Sequence, residues 1–531
     1  MLPLALLWSP RKFILSSKKL FWRAHPLRVN VLGQPVYVIQ GAANIAATAR
    51  HRNLSSFTLH KHILKRAFKL PDQAINTYRA DNSGRNLTPH AGSIVEPRNR
   101  VEFLTTESVH QLLLGPGLAP LSEKFQKDIA ERLHALPIDA KSWVTSDNFL
   151  RLFQGEVTAS MLEALCGKYL TQEQPRFLED LWALDDNVWK LLFQFPRFLF
   201  PDPYARRDRT VEAIKSWHAW ARESFDPAST DSNGNDPFWG SRFFRDRQEM
   251  FQNMDGFDFD AIASQDLAFL WGVLNNVIVA SFWTTLEAFK DPTLLQCIRN
   301  EVRCCLLPQP VSVAASGELQ QEERAKESEN TSHPEINIEK LLQQPFLQAV
   351  FAETLRLRVN GFFLWRVSHH DINVRGWLIA KDHYVATSPI PGHMDPDVWS
   401  TGENAEHPVD EFYIGRWLRA RSPPCSSVTA TTQSPPPPNP TTTPNPDLNL
   451  EFTTSASKGT FLPFGSGDHY CPGRRFAKVI TLLCTALLVE TYDVEILSDV
   501  KDVGMSMRNF GFGMLGPDRA VSVRMRRRYD L

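Results

Sequence analysis

Phe464-Gly465-Ser466-Gly467-Asp468-His469-Tyr470-Cys471-Pro472-Gly473 is the stretch whose reading decides the fold. One cysteine is surrounded by glycines at 465, 467 and 473, which let the backbone turn tightly and approach a flat partner without a Cβ in the way. Pro472-Gly473 then introduces a run, Arg474 to Val489, with the apolar spacing of a buried helix. A cysteine just ahead of a helix N-terminus feels the positive end of the dipole and can accept backbone N–H bonds; both lower its pKa. Cys471 is therefore predicted to be a metal-binding thiolate. The plainer reading of the same residues is a glycine-rich turn before a core helix, with an inert buried cysteine.

The spacing resembles the heme-binding signature of the cytochromes P450, which places Phe seven residues before the Cys, Gly four before it and Gly two after it. Here those residues are Phe464, Gly467 and Gly473. The resemblance implies that Cys471 is the axial thiolate ligand of the iron of heme b. The signature usually has a basic residue two before the Cys; this chain has His469, expected as a pH-dependent donor to a heme propionate.

Other segments extend the resemblance in family order. Glu353 and Arg356 stand at i and i+3 in a predicted helix over 346–358, where a carboxylate and a guanidinium can pair. They match the family's E-x-x-R, and Arg416, in the stretch 408–417, matches the third member of a Glu–Arg–Arg cluster that supports the core behind the heme loop. Gly361 to Val367 reads as an apolar strand with one arginine, Arg366, expected to bind a propionate. The alternative is an arginine on the exposed face of that strand. Phe362, Phe363, Leu364 and the turn 509–515 are expected on the substrate side.

Two departures matter. The W-x-x-x-R of the family is missing from the stretch 107–114, where His110 is the substitute. In the long apolar run 266–289, family members usually carry an acid followed by Thr to deliver protons during dioxygen activation; here Asn275 and Asn276 occupy those positions. Asparagine has no ionisable proton, but its amide can orient water or a substrate oxygen, so the two are the candidate catalytic residues. Ordinary hydrogen bonding between helices explains them equally well. Leu270-Trp271 and Ser281-Phe282-Trp283 resemble the branch that contains sterol and bile-acid hydroxylases and prostacyclin synthase, which holds both oxygenases and an isomerase.

Across its 531 residues the chain is 43% hydrophobic and 22% charged, with a formal net charge of −1, so no bulk attraction draws it to nucleic acid. The seven cysteines lack the paired spacing of a zinc site and read as reduced thiols. His369-His370-Asp371 reads as loop polarity, because adjacent strand residues point to opposite faces. Residues 1–24 form an N-terminal segment without a full membrane anchor, because the apolar run 1–8 is too short to span a bilayer; the basic residues that follow leave contact with a membrane surface open. Valines on alternate positions around Gly33-Gln34 predict a hairpin over 28–39, and most of 106–305 has helical spacing. The stretches near 308–334 and 421–456 are polar or Pro/Ser/Thr-rich and read as exposed insertions. The expected architecture is mainly α with small β-sheets, a single large P450-like domain over 25–531.

The resemblance implies a heme-dependent monooxygenase that inserts one oxygen atom from O2 into a hydrophobic steroid, terpenoid or other secondary metabolite. Its electrons would come from NADPH through a separate reductase, which would meet a basic surface at Arg474, Arg475 and Lys478. The family's usual setting is the cytosolic face of the endoplasmic reticulum membrane. A heme-thiolate isomerase or dehydratase working without a reductase, and a non-catalytic heme-binding protein, stay open at this point.

Overall fold

The computed structural model of the protein describes residues 10–17, 25–31, 33–308, 335–421, 450–457, 459–499 and 503–528. Four helices and seven short strands position the site: α1 Phe177–Leu192, α2 Phe259–Lys290, α3 Pro345–Arg358 and α4 Arg474–Thr491, with β1 Leu27–Val31, β2 Gln34–Val38, β3 Leu54–Ser55, β4 Val359–Gly361, β5 Phe363–Val367, β6 Tyr384–Thr387 and β7 Phe512–Met514.

α2 is the axis of the molecule. It begins seven residues before the expected run, because the Asp258 side chain accepts the Ala261 N–H at 2.9 Å and caps it. The helix is long and apolar enough to cross a bilayer, yet it is enclosed by protein: Phe282, Trp283 and their neighbours are buried in the main core. It packs along α4, where the Thr285 and Thr485 hydroxyls meet at 3.1 Å, and against α3. From 273 to 289 almost every side chain is buried, but Ala268, Gly272, Asn275 and Asn276 keep access. Their spacing puts them on one stripe of the helix, which faces open space inside the fold.

The predicted hairpin is present as β1 and β2, with Gly33 at φ 82 in the turn. It forms one edge of a five-stranded sheet ordered β1-β2-β6-β5-β3, in which β2 and β6 are parallel and the other pairs antiparallel. β5 carries Trp365 and Val367 into a small core with Leu54 and Val385. A second pairing joins β7 to β4, with Gly513 opposite Asn360.

Parts of the expected N-terminal segment and of both insertions lie outside the described residues. Within them, Pro10–Ser17 is a helix whose Ile14 packs against Leu357, Ile390 and Met394, so this segment is docked on the body. Leu450–Phe452 pairs with Leu418–Ala420, so the expected second insertion ends earlier than 456.

Candidate functional site

The cysteine turn is held by its glycines and by one backbone bond, Cys471 N–H to the Phe464 carbonyl at 2.9 Å. Gly465 and Gly467 have φ of 82 and 63, and a Cβ at 467 would stand 2.3 Å from the Ala49 carbonyl oxygen, so only glycine fits there. A Cβ at 473 would be 3.7 Å from the Cys471 sulfur. Cys471 itself remains partly accessible. The expectation of a lowered thiol pKa is corrected: desolvation by the loop pushes it up, and the Gly473 N–H and the Arg474 charge only oppose that rise.

A heme fits this donor set. Cys471 is a lone sulfur donor, and the described residues contain no cluster of three or more His, Cys, Asp or Glu side chains that could hold a metal ion. A cofactor whose ring supplies the other ligands suits one protein thiolate.

Behind the loop, Glu353, Arg356 and Arg416 form one fully buried unit. Arg356 donates to Glu353 through Nε and Nη2, both at 2.8 Å, and Arg416 Nη1 donates to Oε1 at 2.8 Å. The Tyr413 N–H at 3.0 Å and the Trp417 indole N–H at 2.9 Å complete the carboxylate. Other guanidinium hydrogens go to carbonyls, Arg356 to His393 and Val409 and Arg416 to His407 and Pro408, while Arg416 Nε has no partner among the described residues. The spacing of α3 brings Glu353 and Arg356 together, while Arg416 arrives from the chain 60 residues on.

The two expected propionate partners also have protein partners. Arg366 lies between Trp365 and Val367, so the pleat turns it to the opposite face from the His469 ring that Trp365 meets at 6.0 Å. It pairs with Asp382 at 2.6 Å and is 39% exposed. His469 has both ring nitrogens in use. Its Nε2 lies 2.9 Å from the Leu54 carbonyl and must carry the proton, leaving Nδ1 to accept from Arg85 Nη1 at 2.9 Å. Burial lowers its pKa to about 4, with the Arg85 charge acting in the same direction, so it stays neutral. The cation beside the cysteine loop is thus Arg85, a residue the sequence reading missed: it is mostly buried, and no carboxylate pairs with it among the described residues. His110 lies within electrostatic reach of both Arg85 and Arg474.

On the other side of the site, Asn275 and Asn276 do not present free amides. Asn276 Oδ1 accepts the Met514 N–H at 2.8 Å and its Nδ2 donates to Asn275 Oδ1 at 2.9 Å. Gly513 makes this possible, since a Cβ there would stand 2.3 Å from Asn276 Oδ1. Asn276 therefore joins α2 to β7. Asn275 Nδ2 reaches Asp185 Oδ1 on α1 at 3.4 Å, and the Trp271 indole donates to the same oxygen at 2.8 Å. An ionisable group on the facing helix thus meets the asparagine pair. Around it are Phe362 against Phe510, with ring centroids 5.5 Å apart, and Trp271 against Phe512 at 6.3 Å. Of the expected lining, Phe363 instead stacks on Trp365 beside the cysteine turn.

Of the three basic residues after Cys471, only Arg475 is exposed. Arg474 lies over the Tyr470 ring and Lys478 donates to Gln348.

Known proteins agree with this architecture. The family model described as Cytochrome P450 matches residues 47–522. The chain is 27% identical to the cytochrome P450 monooxygenase fsoE of Humicola fuscoatra over 95% of this chain and 81% of that protein. It is 24% identical to the cytochrome P450 monooxygenase efuG of Hormonema carpetanum, over 97% and 86%. It is also 24% identical to the human 7-alpha-hydroxycholest-4-en-3-one 12-alpha-hydroxylase, over 78% and 73%. With nearly the whole chain matched and a lone cysteine in a glycine turn suited to a thiolate-ligated heme, the chain belongs to the cytochrome P450 family and is a heme-dependent monooxygenase.

Proposed function

We propose that this enzyme oxidises a hydrophobic steroid or terpenoid with Cys471 as the iron ligand. The observation that carries the assignment is the cysteine turn, with a lone sulfur held between two left-handed glycines and the N-terminus of α4. When bound, the heme supplies reductive activation of dioxygen and transfer of one oxygen atom to the substrate. Arg85 would bind a heme propionate, oriented by His469, because a buried guanidinium calls for an anion and bonds a carboxylate with good geometry. Glu353, Arg356 and Arg416 hold the segment behind the loop and touch no reacting atom.

The substrate class is supported by the aromatic walls and by relatives whose names include a sterol hydroxylase. Electrons would come from NADPH through a reductase docking near exposed Arg475. Contact with the endoplasmic reticulum membrane is supported by an apolar projection after α1, where Phe193, Phe198 and Leu199 are 76%, 84% and 62% exposed.

The test is the absorption spectrum of the reduced, carbon monoxide-bound protein. A thiolate-ligated heme gives a red-shifted Soret band; its persistence in Cys471→Ser would overturn the ligand assignment. Product formation that continues without reductase and NADPH would overturn the proposed electron route.

A further inference from the structure

Asp185 has no part in the heme cradle, and its surroundings are incomplete. Oδ1 accepts from the Trp271 indole at 2.8 Å and from Asn275 at 3.4 Å. Oδ2 receives only Asn509 Nδ2, at a long 3.4 Å, because that amide is aimed mainly at the Asp185 carbonyl, 3.0 Å away. The Asn509 carbonyl oxygen, on the same amide, is buried without a partner among the described residues. Among the described residues, the buried Asn509 oxygen has no donor and Oδ2 of half-buried Asp185 has one long contact, so both acceptors have capacity to spare in an aromatic setting. Burial raises the Asp185 pKa to about 6, with the Trp271 bond opposing the rise, so the group is mostly an acceptor at neutral pH.

We propose that Asp185 and Asn509 form the specificity-determining anchor for a hydroxyl group on the substrate, which donates its hydrogen to Asp185 Oδ2. A neutral hydroxyl meets this demand without the cost of desolvating a cation. The hydrocarbon body then lies against Trp271 and Phe512, along the accessible stripe of α2. Asn275 and Asn276 are positioning residues: one steadies Asp185, the other holds β7 next to Asn509. The enzyme would thus select lipids that already carry an oxygen, and the reaction supplying its substrate would be a hydroxylation or a cyclisation that leaves an alcohol.

This inference rests on the proposed hydrophobic substrate class, and the experiment keeps the two apart. Full-length, heme-loaded wild type and Asp185→Asn are first checked by their carbon monoxide spectra, which report the thiolate alone. Both are then titrated with cholesterol and its methyl ether, and with abietol and its methyl ether, reading spin state and equilibrium dialysis. The ether keeps the oxygen and lacks the donor. The expected result is a wild-type preference for the alcohol in at least one pair that falls about tenfold in Asp185→Asn. Asn509→Ala, on a different element, should weaken the same preference. Wild type without any alcohol preference, or a preference that survives within twofold in Asp185→Asn, overturns the proposal.

Discussion

The two faces of this site are built on opposite principles. Behind the cysteine, the Glu353 carboxylate receives five hydrogen bonds, from Arg356, Arg416, Tyr413 and Trp417, and is fully buried. Across the site, Asp185 has one well-satisfied oxygen and one that is nearly open, beside an unpartnered Asn509 carbonyl. A carboxylate whose acceptor sites are filled holds its neighbours in place, whereas one with an open oxygen is able to accept a further donor. The contrast sets a side built to hold its shape against the side proposed to select a substrate.

The largest expected effect comes from emptying the saturated side. Glu353→Ala leaves two buried guanidiniums uncompensated, a loss of about 3–5 kcal/mol, so the variant should purify without a heme spectrum or fail to accumulate. A stable, fully loaded Glu353→Ala protein would show that the cluster is dispensable. Gly467→Ala comes next. Left-handed φ alone costs about 1–2 kcal/mol in a residue with a Cβ, and the overlap with the Ala49 carbonyl adds to it. Heme content per chain, measured after dialysis, should drop.

A smaller effect distinguishes the two arginines. Arg85→Ala should speed heme transfer to an apoglobin about tenfold or more, as expected for loss of a charge-assisted bond, while Arg85→Lys keeps part of the retention. Arg366→Ala removes an exposed pair with Asp382 and should change stability by less than about 1 kcal/mol, with heme retention unaltered. If Arg366→Ala releases heme faster than Arg85→Ala, the assignment of the propionate partner is reversed. Asn276→Ala leaves the Met514 N–H unpartnered, costing about 1–3 kcal/mol. It should lower the melting temperature and broaden substrate selection without displacing the thiolate band.

Some of this was legible in the residues because it is local. The cysteine turn depends on glycines within ten positions, and Glu353 with Arg356 depends on one helical turn. Arg416 could be added because the resemblance carried its position. The Asp382 partner of Arg366 was not legible, since a strand residue's face is decided by which neighbours lie in the core, here Trp365 and Val367. The Leu54 carbonyl that meets the His469 ring, from a strand more than 400 residues earlier, was equally hidden. Arg85 and Asp185 carry no pattern, since their partners are far away in sequence, and Asn509 was read only as part of the turn 509–515. The one hint was Phe510-Gly511-Phe512-Gly513, whose glycines mark a close approach that proved to be the Asn276 amide.

By itself, then, the sequence determined the helical class, the thiolate loop and the supporting carboxylate, because covalent spacing along a helix or a tight turn fixes which side chains meet. Only the tertiary structure decided which cation stands beside the cysteine, whether Asn275 and Asn276 are free or engaged, and that an acid from α1 faces α2. Those outcomes depend on how separate elements pack, and burial of a polar atom, with the demand for a partner that follows from it, exists only once they have come together.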